Sequence, residues 1–194
     1  MGVILEMQDR EEKEQEVAAG LAARVAAGRA AKEAGAAFEK KLDLYLATLR
    51  QQRIVEYVEK NGPQWARRGR TYVRTQASGA DRAGILRDAR AFALEAKSTG
   101  HKDGKVKAFE QKRISPKQKE HLDAAARVGA PAMLLLEWRL PSGEGRWFFV
   151  PWSEMNWRGK KSVRMAEMLA WMISPDDFCA RFRSFVGQAP AVAS

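Results

Sequence analysis

The chain has 194 residues, with 34 Lys or Arg against 24 Asp or Glu, giving a formal net charge of +10 and an isoelectric point near 9.9. One cysteine, Cys179, and two histidines exclude a disulfide framework, a Cys-rich zinc site and His-rich metal chemistry. The longest apolar runs, such as Ala132 to Leu136 and Trp147 to Pro151, fall far short of the about 20 residues a membrane helix needs, so no membrane partner is expected. At this length one compact domain is the default, and folding hides roughly 70% of the unfolded chain's surface, enough for a core without disulfides. The opening residues, MGVILEMQDREEKEQE, have neither a basic start nor a long apolar stretch, so no secretion signal is expected and the cytoplasm is the expected location.

The charge is unevenly placed. Residues 1–60 hold 10 basic and 11 acidic side chains, residues 61–120 hold 15 and 6, and residues 121–194 hold 9 and 7. Nearly all the excess therefore lies in the middle third, which points to a polyanion-binding surface on that segment.

In chain order, Met7 to Lys60 is rich in Ala, Glu, Lys, Arg and Gln and predicts two helices broken near Gly35. The first, within residues 1–34, has few large apolar residues and reads as an arm. The second carries Phe38, Leu42, Tyr45, Leu46, Leu49, Ile54, Val55 and Val58 at three- and four-residue steps, one buried face that opens a domain spanning residues 35–188. Asn61, Gly62 and Pro63 stop it. Strands are predicted at Arg70 to Thr75, Gly84 to Leu86 and Ala91 to Ala96. A polar stretch, STGHKDGKVKAFEQKR, follows. Ser115 and Pro116 then read as N-cap and first turn of a helix through Arg127, ended by Gly129. Ala132 to Trp138 is a strongly apolar strand, turned at Pro141 to Gly145 into a hairpin partner, Trp147 to Val150, with Trp138 and Trp147 expected as cross-strand neighbours. Helices are predicted at Ser162 to Met172 and Pro175 to Phe185, and a disordered tail at residues 189–194. The fold class is α/β: a mixed central β-sheet flanked by helices, with an N-terminal helical arm.

One spacing carries chemistry: Asp81, then Glu95, Ala96 and Lys97. Side chains alternate along a strand, so Glu95 and Lys97 share a face while Ala96 points to the other layer. With Asp81 alongside, two carboxylates and an ammonium converge. Hard oxygen ligands of this kind suit Mg²⁺ or Mn²⁺, and such an ion polarises a phosphoryl oxygen. Lys97 is suited to orient a nucleophile and offset charge developing at phosphorus.

The segments GADRAG (Gly79 to Gly84), FALEAKST (Phe92 to Thr99), SPKQKEHL (Ser115 to Leu122) and GAPAMLLLEW (Gly129 to Trp138) resemble the PD-(D/E)XK nuclease core, and within it the Holliday-junction resolvases of the RecU and archaeal Hjc type. The resemblance covers about residues 35–152 and rests on Asp81, Gly84, Glu95, Lys97 and Gln118. It implies a catalytic set of Glu39, Asp81, Glu95 and Lys97, with Asp81, Glu95 and the carbonyl of Ala96 holding the metal and Glu39, on the first core helix, as metal or water partner. Two positions depart from the family pattern: Ala80 stands where the motif has Pro, and Arg82 where resolvases often have an aromatic. The stalk of the RecU subgroup is also not found.

The resemblance further implies a homodimer that makes paired symmetric nicks in four-way DNA junctions during recombination and repair. A nuclease of flaps, forks or duplex, and a non-catalytic architectural DNA-binding protein, are the alternatives. Two basic strips are the expected DNA contacts: Arg67, Arg68, Arg70 and Arg74 before the site, and Lys102, Lys105, Lys107, Lys112 and Arg113 after it. Gln118 is suited to reach the DNA backbone or active-site water. Such contacts hold position without reading sequence and predict strong salt sensitivity.

Overall fold

The computed structural model describes residues 2–60, 64–68, 71–76, 80–102, 105–155 and 160–188, and side chains within 17–60, 80–101, 105–155 and 160–188. The chain divides into two units, Met1–Lys40 and Lys41–Ser194.

Helix α1 (Gly2–Gln51) runs without interruption through Gly20, Gly28 and Gly35, where two helices were expected. Each interior glycine costs about 1 kcal/mol relative to Ala. A long run of good helix formers offsets this, because each further residue adds a hydrogen bond once the helix is nucleated. Before Lys41 the apolar side chains Val17, Leu21 and Val25 are exposed, in keeping with an arm poor in large apolar residues.

The helix ends at Gln51, not at Lys60. Arg53 N–H donates to the Arg50 carbonyl at 2.9 Å and Ile54 N–H to the Leu49 carbonyl at 3.0 Å, with Arg53 at φ 56°. This pair of bonds is a Schellman closure. Strand β1 (Val55–Lys60) follows at once. Ile54, Val55 and Val58 fit a helical step, but β-branched residues fit a pleated strand equally well, and pairing with the sheet decides.

Strands β2 (Gln64–Arg68) and β3 (Thr71–Gln76) form an antiparallel hairpin whose first strand was not expected. Strands β4 (Arg82–Leu86) and β5 (Ala91–Thr99) lead to two short segments, β6 (His101–Lys102) and β7 (Lys105–Val106), which pair with each other. After β8 (Phe109–Glu110) comes helix α2 (Pro116–Arg127), with Ser115 as N-cap and Gly129 at φ 74° beyond its end, as the sequence indicates. Strands β9 (Ala132–Arg139) and β10 (Gly145–Pro151) form the expected hairpin. Strand β11 (Ser162–Val163) pairs with β8, and β12 (Met172–Ile173) precedes helix α3 (Phe178–Gln188). Between β11 and β12, Met165–Trp171 is a 3₁₀ helix where an α-helix was expected. Met165, Met168 and Trp171 recur every third residue and pack on one cluster, which suits three residues per turn.

The main sheet has the order β1-β4-β5-β9-β10-β12; β5 and β9 are parallel and the other pairs antiparallel. The molecule is thus mixed α/β, with α2 in the crossover between the parallel strands. Residues of β9, a central strand paired parallel to β5 and antiparallel to β10, are buried on both faces. Alternation sorts the aromatics. Trp138 meets Phe148 edge-on at 5.5 Å on one face, in a cluster with Phe109, Ile114 and Val150. Trp147 meets Tyr45 and Phe149 meets Phe178 on the other, at 5.7 and 6.0 Å, beneath the C-terminal part of α1 and α3. In the hairpin Trp138 opposes Arg146 and Trp147 opposes Glu137. The two indoles are therefore not neighbours, because a one-residue offset moves a side chain to the opposite face.

Candidate active site

The pairing of β4 with β5 stops at Arg82 opposite Leu94. Beyond it, β5 runs on against β9 alone, leaving the edge of Glu95, Ala96 and Lys97 open on the β4 side. Asp81 fills that gap. Its N–H donates to Glu95 Oε2 at 3.0 Å, and its own Oδ2 accepts from the Ala96 N–H at 3.1 Å. The N–H and C=O of one strand residue point to the same edge, so the Ala96 carbonyl is turned toward the same gap. Lys97 Nζ pairs with Glu95 Oε1 and lies 3.8 Å from Asp81 Oδ2.

The three side chains taken from the D-x₁₃-E-x-K spacing are thus in mutual contact. Glu95 is fully buried, while the side chains of Asp81 and Lys97 are 21% and 17% exposed, so the cluster opens to solvent on one side only. Its formal charge is −1. Burial, followed by the nearby Asp81, raises the Glu95 pKa from its usual value to about 7, and the Lys97 ammonium opposes that rise without cancelling it.

The turn carrying Asp81 is held at both of its neighbours, Ala80 and Arg82. Ala80 is buried, and its N–H donates to His121 Nδ1 on α2 at 2.9 Å. A proline there would have no N–H to give. Arg82 is buried as an aromatic would be, yet its Nε and Nη2 reach Asp43 Oδ1 on α1 at 2.8 and 2.6 Å, and its Nη1 donates to the Asp81 carbonyl at 3.0 Å. Lys60 Nζ reaches the other Asp43 oxygen at 3.7 Å. Neither Asp43 nor His121 stood out in the sequence. The signal for Asp43 is faint: it lies one helical turn beyond Glu39, on the same helix.

Small residues let α2 approach this face. Ala80, Ala93, Ala132 and Leu122 form one buried cluster beneath the helix. Gln118, predicted as a DNA or water contact, is buried and closes a capping box: its Oε1 accepts from Ser115 N–H at 2.9 Å while its own N–H donates to Ser115 Oγ at 3.2 Å.

Glu39 lies in the unit that ends at Lys40, and Asp81, Glu95 and Lys97 in the other. Of the basic strips, Arg70 and the side chains of Arg67, Arg68, Arg74 and Lys102 lie outside the described residues. Lys105 and Lys107 are exposed, and the Lys107 carbonyl accepts from Trp138 Nε1 at 2.8 Å. Lys112 pairs with Glu110 at 3.0 Å, and the Arg113 guanidinium lies 5.8 Å from the Phe109 ring centroid.

Among the described residues, no group of three or more His, Cys, Asp or Glu side chains is placed to hold a metal. Two carboxylates are nonetheless what Mg²⁺ commonly takes from a protein, since it keeps several waters and substrate oxygens. Asp81, Glu95 and the Ala96 carbonyl are such a hard-oxygen set, and a divalent cation would offset the net negative charge of the cluster. The residues present fit the ion. A comparison with models of known protein families gives no match for this chain, and neither does a comparison with curated proteins.

Proposed function

We propose that the chain is a Mg²⁺- or Mn²⁺-dependent endonuclease of the PD-(D/E)XK kind, acting on branched DNA and, by its resemblance to RecU and Hjc, on four-way junctions as a homodimer. The observation that carries this reading is the convergence of Asp81, Glu95 and Lys97 at the open edge of β5, with Asp81 fixed by the Ala96 N–H.

Asp81 and Glu95, with the Ala96 carbonyl, would hold the metal. When bound, the ion polarises the phosphoryl oxygen and lowers the pKa of coordinated water. The remaining work falls to the chain. Asp81 is held from its backbone by His121 through Ala80 and by Arg82, so its carboxylate needs little reordering on binding substrate. Lys97, on the solvent side of Glu95, offers its ammonium to the scissile phosphate and offsets the charge that builds there. Burial of Glu95 excludes water from the inner side of the cluster and strengthens each of these interactions. A dimer would place two such sites on opposing strands, matching the two-fold symmetry of a four-way junction.

The test is nicking of synthetic four-way junctions beside linear duplex, with Mg²⁺ and with chelator. Cutting confined to junctions and abolished by chelator supports the proposal. Equal cutting of both substrates removes the junction assignment, and no cutting of either removes the nuclease.

A further inference from the structure

Helices α1 and α2 end in the same way. In α2, Gly129 N–H donates to the Ala126 carbonyl at 3.1 Å and Ala130 N–H to the Ala125 carbonyl at 3.0 Å, and the residue in the left-handed region is Gly129. In α1 the same two bonds are made by Arg53 and Ile54, and the left-handed residue is Arg53. That position favours glycine, because a Cβ crowds the following carbonyl. The helix-to-strand turn thus gains nothing from the arginine at its corner, yet places it at the surface.

Two further arginines share that corner. Arg50, Arg53 and Arg87 line an open groove of about 720 Å³ together with Gln51 and the single carboxylate Glu56. All three arginines are exposed, and none is in an ion pair among the described residues. Arg183 of α3 donates to Gln52 Oε1 at 2.8 Å, which brings a fourth guanidinium to the same end. Attraction to the helix C-terminus accounts for Arg50, the last-turn cation, but not for Arg87, which the chain carries in from the β4–β5 turn. A concave surface with three unneutralised guanidiniums is suited to phosphate oxygens, which Arg meets with paired donors.

We infer that the Arg50, Arg53 and Arg87 groove is a second DNA-backbone contact, separate from the Asp81, Glu95 and Lys97 cluster. The register places the two at opposite ends of β4, since Val55 opposes Leu86 at the groove end and Lys60 opposes Arg82 at the cluster end. Four strand steps separate them, about 13 Å. One phosphate cannot reach both. One duplex can, because each strand of B-DNA presents a phosphate about every 3.4 Å. The inference rests on the nuclease reading only for the choice of DNA as the polyanion.

The test is the affinity of the full chain for a labelled linear duplex of mixed sequence over a salt series, for wild type, Arg53→Gly and the Arg50→Gln/Arg87→Gln double variant. Arg53→Gly relieves the left-handed strain, so its urea midpoint should rise while its binding weakens and its salt slope falls by about 0.9, one phosphate contact. The double variant should lose about twice that slope. Folded variants with unchanged slope and affinity overturn the inference, as does a wild-type chain that does not bind the duplex. Junction cutting separates the two readings: groove-dependent binding without any cutting refutes the nuclease alone, and cutting with groove-independent binding refutes the groove alone.

Discussion

Around the start of β4 the molecule buries charge in two adjacent places, and it treats them differently. Arg82 is almost fully buried, but its partner Asp43 is 45% exposed, and Lys60 approaches the same carboxylate from solvent. The contacts there are eased by water, and they fasten α1 to the turn before β4. One residue away, Glu95 is fully buried beside a second carboxylate, with one ammonium between them. That cluster is one positive charge short. A pair whose charge is satisfied inside the chain holds structure together; a cluster left short of positive charge is poised to receive it from outside. Substitutions in the first should therefore be read in folding, and substitutions in the second in chemistry.

The largest expected effect is chemical. Asp81→Asn, Glu95→Gln or Lys97→Ala should each lower junction nicking by about 10³-fold or more, roughly 4 kcal/mol of barrier, while gel-shift affinity for the junction persists. Loss of binding in parallel with cutting would erase the distinction between the two places. Next comes Arg82→Ala, which removes a buried cation with two hydrogen bonds and an ion pair to Asp43 and should cost about 3 kcal/mol in urea unfolding, the low end for a broken buried pair because Asp43 stays partly hydrated. A cost below about 1 kcal/mol would mean that the pair does not fasten the turn.

Proton linkage sharpens the contrast further. The Glu95 pKa rises on folding from 4.5 to about 7, so below pH 4.5 the group is neutral in both states and carries no penalty. As pH rises from there through 7, the folded state holds a proton that the unfolded state has released, and stability falls by up to about 1.4 kcal/mol per pH unit. Glu95→Gln should remove that slope, and millimolar Mg²⁺ should reduce it in wild type. Equal pH slopes for wild type and variant in chelator would show that Glu95 is not the titrating group. The smallest effect is expected at Lys60→Ala, an exposed contribution to the Asp43 pair of no more than about 0.5 kcal/mol.

The pairing of Glu95 with Lys97 was legible in the sequence because a two-residue alternation on a strand places them on one face whatever the rest of the chain does. The caps of α2 were legible for the same local reason: Ser115, Pro116 and Gly129 act on their own backbone. Arg82 with Asp43, and Ala80 with His121, were not, because each pair joins positions about forty residues apart and depends on where a helix lies against a strand. The run Ile54, Val55, Val58 misled because it satisfies helical and extended periods alike, and only its pairing with β4 separates them. The two aromatic faces of the β9–β10 hairpin needed the exact register, which the Pro141 to Gly145 turn leaves open in sequence.

The parallel pair of β5 and β9 has a kinetic corollary. The β9–β10 hairpin closes through a short turn and forms from nearby residues. Strand β5 must instead find β9 across the whole crossover from Gly100 to Pro131, a closure whose entropy is lost before any contact rewards it. Until then the run Ala132 to Leu136, apolar throughout, has an open edge. Edges of that kind recruit copies of themselves. Refolding yield should accordingly fall as protein concentration rises, and the half of the site carried by β5 should be the last to assemble.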